Sequence, residues 1–190
     1  MNRTALSTPG QYPAELEQDV ELGDGTRVHV RPVRPDDAPR LVALYDRLSQ
    51  HTAYQRFFTV LRRLPPDWAK LLADVDYVTR LAIVAVLDAG LTDDLVAVAR
   101  YEPTTEAATV EVAFVVQDDW QGKGLGTRLF RLLLEAAQAR GIGRFRAYVL
   151  ASNMRMLDLI ARFGDIQERS LHQGVVDLLF AARDHRGAAP

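Results

Sequence analysis

The chain has 190 residues, 48% of them hydrophobic, with 23 Lys and Arg against 25 Asp and Glu and a formal net charge of −2. That length suffices for one sizeable core, and so balanced a charge gives no field to recruit nucleic acid, although arginines gather at residues 27–40 and 140–146. There is no cysteine, which excludes disulfides, thiolate zinc sites and a cysteine nucleophile, and fits a reducing, cytoplasmic setting.

Residues 1–18 mix Ser, Thr, Pro, Gln and Glu without period and carry no apolar signal core. They are expected to be a flexible N-terminal segment, with a single domain over 19–182 and a flexible tail over 183–190. Residues 20–22 and 27–31 flank Gly23-Asp24-Gly25-Thr26 and predict two short strands around a turn. Pro35-Asp36-Asp37 is a helix-start signal, and Leu41, Leu44, Tyr45 and Leu48 follow at the spacing of one helical face. A second helix is predicted over 52–58 and a third over 66–73, after the Pro65-Pro66 break.

Residues 80–87, 94–101 and 109–116 are rich in Val, Ile and Ala and predict three strands of an antiparallel meander, separated by Asp88-Ala89-Gly90 and Glu102-Pro103-Thr104-Thr105. The longest apolar run, residues 81–87, is far short of the ~20 residues that span a bilayer, so no membrane partner is expected. From Gly124 the period changes to that of a helix, with Leu125, Leu129, Leu132, Leu133 and Ala136 on one face and Gly141 as a stop. A strand over 145–150, a helix over 153–163 stopped by Gly164, and strands over 167–171 and 175–180 around Gln173-Gly174 complete the reading. The strand, helix, strand order from 109 to 150 implies two parallel neighbours joined by a crossover helix. The fold class is therefore α/β: a mixed, mostly antiparallel sheet with one parallel pair and helices on both faces.

The segment with chemistry in it is Gln121-Gly122-Lys123-Gly124-Leu125-Gly126-Thr127, between a β-branched strand and the amphipathic helix. Glycines let backbone approach a ligand, and a helix start offers unpaired N–H groups to an anion such as a pyrophosphate. Two nucleotide motifs fail here: a dinucleotide fingerprint needs Gly where Thr127 stands, and a Walker loop needs Ser or Thr where Gly124 follows Lys123.

The loop resembles the acetyl-CoA pyrophosphate loop of the GNAT N-acetyltransferase superfamily. Val149-Leu150-Ala151-Ser152-Asn153, with Met156, Leu159 and Gly164, resembles the strand and helix that follow it, and the order of elements from 27 to 180 fits the whole fold. Within the superfamily, Val110-Glu111-Val112-Ala113-Phe114 and residues 48–58 are most similar to the bacterial protein lysine acetyltransferases of the Pat type. The resemblance implies acetyl-CoA as cosubstrate. Backbone of Phe114, Val115 and Val116 would pair with the pantetheine arm, amides of Gln121, Gly122, Lys123, Gly124, Leu125, Gly126 and Thr127 would hold the pyrophosphate, and Asn153 would bind across the arm. The amide of Val115 or Val116 would face the thioester oxygen.

A lysine amine with a reference pKa of ~10.4 is almost wholly protonated at neutral pH, so a base is needed. Glu111, a carboxylate on a strand of Val and Ala, would be poorly solvated and raised in pKa, and the resemblance makes it the catalytic base, directly or through water. A solvent-facing Glu on an alternating strand would read the same without that resemblance. Ile160 stands where many members carry a Tyr acid and Asp165 where a Phe commonly follows the Gly, so no general acid is assigned; Tyr148 or Tyr101 could substitute. A thiolate of pKa ~8.5 can leave unaided near neutrality. Tyr54, Arg56, Phe57 and Phe58 could wall the acceptor side or belong to the core, and Trp120 could cover the cofactor or cap the core.

The four histidines are scattered, and no metal is expected. The expected acceptor is a lysine of a protein substrate, with a small amine as alternative, and a non-catalytic acyl-CoA-binding module as the alternative from another class. The chain is expected to be an isolated catalytic domain, monomer or homodimer, since the stretch before Val20 is too short for the regulatory domains of some Pat-type proteins.

Overall fold

Period-2 segments rich in β-branched residues become strands wherever both of their faces can be covered. A computed structural model describes residues 10–88 and 93–183. Among these residues eight strands form one sheet: β1 (Gln18–Glu21), β2 (Arg27–Pro32), β3 (Leu81–Asp88), β4 (Asp93–Pro103), β5 (Thr109–Val116), β6 (Arg144–Leu150), β7 (Gly164–His172) and β8 (Val175–Ala182). Their spatial order is β1-β2-β3-β4-β5-β6-β8-β7. Every neighbouring pair is antiparallel except β5 and β6, whose register is Thr109↔Arg144, Val110↔Phe145 and Glu111↔Arg146. Beyond those three rungs the two strands part.

Five α-helices accompany the sheet among the described residues: α1 (Ala38–Asp46), α2 (Gln50–Phe57), α3 (Pro66–Ala73), α4 (Leu125–Gln138) and α5 (Met154–Phe163). Strand alternation divides the core in two. Leu81, Ile83 and Ala85 of β3 face the side of Leu125, Leu129 and Leu133 of α4 and Ile160 of α5. Ala82, Val84 and Val86 face the side of Leu41 and Leu44 of α1 and Ala69 of α3. Each fully buried Leu of α4 contributes about 1.5–3 kcal/mol, so the amphipathic face read from the sequence is what fixes the crossover helix. The expected mixed fold with helices on both faces is borne out.

Local chemistry accounts for the boundaries that moved. Helix α2 starts at Gln50, two residues earlier than the periodicity indicates, because Ser49 caps it: its Oγ accepts from Thr52 N at 3.1 Å. Leu48 lies beyond the end of α1. Strand β4 continues through Pro103, and the turn to β5 is made by residues 104–108. Gly164 ends α5 without any left-handed backbone: its φ is −124° and it starts β7 at once. What it supplies is smallness, because a Cβ there would lie 2.5 Å from the Phe180 ring and 3.0 Å from the Ile160 carbonyl oxygen. Gln173 and Gly174 both have positive φ, 50° and 80°, as a two-residue hairpin turn requires.

A buried ion pair anchors the start of α1. Asp37, 0% exposed, receives Arg31 at 2.7 and 2.8 Å, the Arg34 amide at 2.8 Å and Arg40 at 3.1 Å. Burial pushes the Asp37 carboxyl up, but the Arg31 hydrogen bonds and charge outweigh it and leave it below its ordinary value. Within the segment read as flexible, the Gly10 amide donates to the Asp76 carbonyl at 2.8 Å and Tyr12 meets Tyr77 edge-on at 5.6 Å. Residues 1–9 and 184–190, and Ala89 and Gly90 of the expected β3–β4 turn, lie outside the described residues. No described helix is long and apolar enough to cross a membrane.

Candidate active site

Where β5 and β6 part, a cleft of about 440 Å³ opens. Its walls are β5 from Glu111 to Val116, Tyr148 and Val149 of β6, the glycine turn before α4, the first turns of α5, and Thr52, Gln55, Arg56 and Phe58 at α2. Gln117 sends its amide to the Val96 carbonyl on the β4 side at 2.9 Å. By strand alternation Val115 shares that direction, whereas the amides of Phe114 and Val116 face the gap. Of the two amides expected near a thioester oxygen, the strand offers that of Val116.

The glycine turn lies at the C-terminal end of β5. Gly122 and Gly124 have φ of 75° and 85°, so the turn needs glycine for its backbone conformation. Gly126 has another reason: a Cβ there would sit 3.3 Å from the Phe114 ring, so its lack of one lets α4 start close against β5. The Arg128 amide reaches the Gly124 carbonyl at 3.1 Å as the first helical bond, which leaves the amides of 125–127 pointing out of the helix end. Gln121 ties the turn together: its Nε2 donates to the Val116 carbonyl at 3.0 Å and its Oε1 accepts from Arg155 at 3.2 Å. Asn153 caps α5, its Oδ1 accepting from Met156 N at 3.2 Å, and its side-chain amide nitrogen makes no hydrogen bond among the described residues.

The residues assigned from the sequence to catalysis and to the cosubstrate all line the cleft, except Lys123 and Leu125 at the side-chain level. Lys123 turns away, its Nζ 2.9 Å from Asp24 and over the Trp120 ring at 4.9 Å, and Leu125 is wholly buried in the core. Either can reach the cleft only through its backbone. Trp120 packs on the core side. Arg56 and Phe58 are on the cleft wall, while Phe57 packs on Tyr45 with ring centroids 5.4 Å apart. Sequence reasoning missed Thr52, Gln55 and Arg155. Thr52 and Gln55 arrive through Asp118, which accepts from the Ser49 amide at 2.9 Å and from the Ser49 and Thr52 hydroxyls at 2.7 Å each, whereas Arg155 is held by Gln121. An acidic residue just before a glycine turn was the available signal.

Glu111 lines the cleft at the end away from the glycine turn, on the α2 side. By surface area the residue is exposed, so the poor solvation expected from the sequence is only partial; the walls still push its carboxyl above the ordinary value, Arg56 opposes that push, and Glu102 and Asp177 add to it. The two tyrosines considered as acids separate cleanly. Tyr101 is 0% exposed, donates to the Val78 carbonyl at 3.2 Å and is pushed up to about 12 by burial, whereas Tyr148 is 40% exposed on the cleft wall. Ile160 is buried. Among the described residues no group of three or more His, Cys, Asp or Glu gathers as metal ligands would.

A split parallel pair with a glycine turn and a helix N-terminus at its mouth defines a class of acyl-group transferases. Residues 43–165 match the model of the acetyltransferase (GNAT) family. The chain belongs to that family and is an N-acetyltransferase of its type. It is 33% identical over 150 residues to an acetyltransferase of Pseudomonas aeruginosa, covering 78% of this chain and 80% of that one. It is 35% identical over 151 residues to the acetyltransferase Pat of Mycolicibacterium smegmatis, 79% of this chain but 44% of the relative, so it spans less than half of that protein's length. The crystal structure of the GNAT domain of S. lividans PAT matches with a TM-score of 0.81 at 36% identity, over 90% of this chain and 99% of that one. The Pat-type resemblance read from residues 48–58 and 110–114 is thereby borne out.

Proposed function

We propose that the protein transfers an acetyl group from acetyl-CoA to the side-chain amine of a lysine in another protein, with both substrates bound together. The observation that carries this reading is that one strand presents both chemistries: cleft-facing amides at Phe114 and Val116, and the Glu111 carboxylate on the same wall. The amides of 122–127 and the charge of Arg155 suit a pyrophosphate. Glu111, directly or through one water, takes a proton as the amine nitrogen bonds to the thioester carbon. The Val116 amide donates to the oxygen where negative charge develops, and the carbon–sulfur bond breaks to release the thiolate. The likeness to the two Pat proteins supports a protein lysine as acceptor, and the lack of cysteine fits a cytoplasmic setting.

Transfer is tested by incubating the purified protein with acetyl-CoA and panels of proteins and small amines while following free thiol. Release with proteins bearing accessible lysines supports the reading. Release with small amines alone assigns the alternative acceptor class, and stabilisation by acetyl-CoA without any thiol release makes the protein a binding module. Arg155→Ala is expected to weaken acetyl-CoA binding by about tenfold at low salt, and by less at high salt because the contact is exposed. Calorimetric titration at two ionic strengths checks this.

A further inference from the structure

On the Glu111 face of the sheet, charge is arranged in a way that transfer alone does not explain. The β4–β5 register sets Glu102 directly across from Glu111, and side chains at such positions share a face, where like charges oppose each other. Glu102 is held there. Arg80 donates to it at 2.5 Å, and Arg100, 3% exposed, donates from Nε at 3.0 Å and from a terminal nitrogen while also donating to the Leu72 carbonyl at 3.1 Å. From the α2 wall comes Arg56, whose guanidinium lies 4.8 Å over the Phe57 ring and has no hydrogen bond or ion pair among the described residues. The strands on the far side add Asp177 of β8 and Arg146 of β6, and Arg146 is engaged by Glu106 at 3.2 Å and Asp177 at 3.6 Å.

We propose that Glu102 and Arg56 are positioning residues for the transfer, Glu102 favouring and Arg56 disfavouring the proton on Glu111, so that together they fix the pH at which the base is free to act. This rests on the assignment of Glu111 as that base. A carboxyl whose proton affinity is lifted by enclosure and by a facing carboxylate accepts a proton more readily, and a nearby cation opposes that lift. Arg56 limits the lift.

The test follows the carboxyl carbon of Glu111 by NMR through a pH titration of protein labelled at Glu, its resonance identified by its loss in Glu111→Gln. Glu102→Gln is expected to lower the midpoint and Arg56→Gln to raise it, each by about one unit, the order of effect of a neighbouring charge at a partly screened site. Arg56→Lys should restore the wild-type midpoint. The acid limb of kcat/KM, measured with acetyl-CoA and a lysine peptide, should move in the same two directions. Glu102→Gln leaves Arg100 without its carboxylate and puts the fold at risk, whereas Arg56→Gln loses no hydrogen bond among the described residues and keeps the test decisive. Midpoints that stay put, or move together, overturn the proposal with the base assignment intact. Midpoints that move as stated while Glu111→Gln keeps full turnover instead remove Glu111 as base, and with it any role of the pair in transfer.

Discussion

Glu111→Gln is expected to lower turnover by about 10²-fold or more, the range for loss of a positioned general base, while acetyl-CoA affinity stays within about twofold. The side chain stands at the end of the cleft away from the glycine turn, so the amide groups suited to the phosphates are untouched. Steady-state kinetics with direct titration of the cosubstrate separates the two quantities. The wild-type rate should rise with pH as Glu111 loses its proton, along a limb displaced upward from the ordinary carboxylate range because the walls desolvate it. Equal rates across pH in variant and wild type would remove Glu111 from the mechanism. Unfolding is not a competing explanation. A carboxyl raised in the folded state contributes stability below its unfolded pKa and loses that contribution as pH rises through the folded value. At neutral pH, Gln in its place therefore costs the fold little.

The second large effect falls on stability. Asp37→Ala is expected to cost about 3–5 kcal/mol, because it strands the Arg31 charge, 5% exposed, without its bidentate partner. Set against a typical total of about 5–15 kcal/mol, such a loss unfolds a large share of molecules at modest temperature. Urea denaturation at neutral pH measures it, and a loss under about 1 kcal/mol would show that the pair does not hold the start of α1. The pH dependence has a definite sign. Asp37 is depressed in the folded state, so its stabilisation is present above the unfolded carboxylate pKa and lost as pH falls through the folded value. The gap between wild type and variant should accordingly narrow in acid.

What could be read in advance was what repeats. The period of α4, the β-branched run of β5 and the glycines at 122, 124 and 126 each carry their own local signal, and each stands where the sequence indicated. Side-chain direction in the loop did not follow from local pattern: Lys123 is drawn off by Asp24, about a hundred residues earlier in the chain. The α2 wall was legible only in part for the same reason. Thr52 and Gln55 join the cleft because Asp118 clasps Ser49 and Thr52 across more than sixty positions of sequence, and no window on a single segment contains that contact. Gly164 shows the complementary limit, since a glycine after a helix reads as a left-handed stop whether its use is conformational or, as here, steric.

The three-rung pairing of β5 with β6 leaves the sheet joined by a narrow seam: five strands on one side, three on the other, and a wedge of unmatched backbone between. A molecule that lays its own donors and acceptors along that wedge acts as a missing strand, and the two half-sheets become continuous only while it stays. Occupancy and architectural completeness are then one variable.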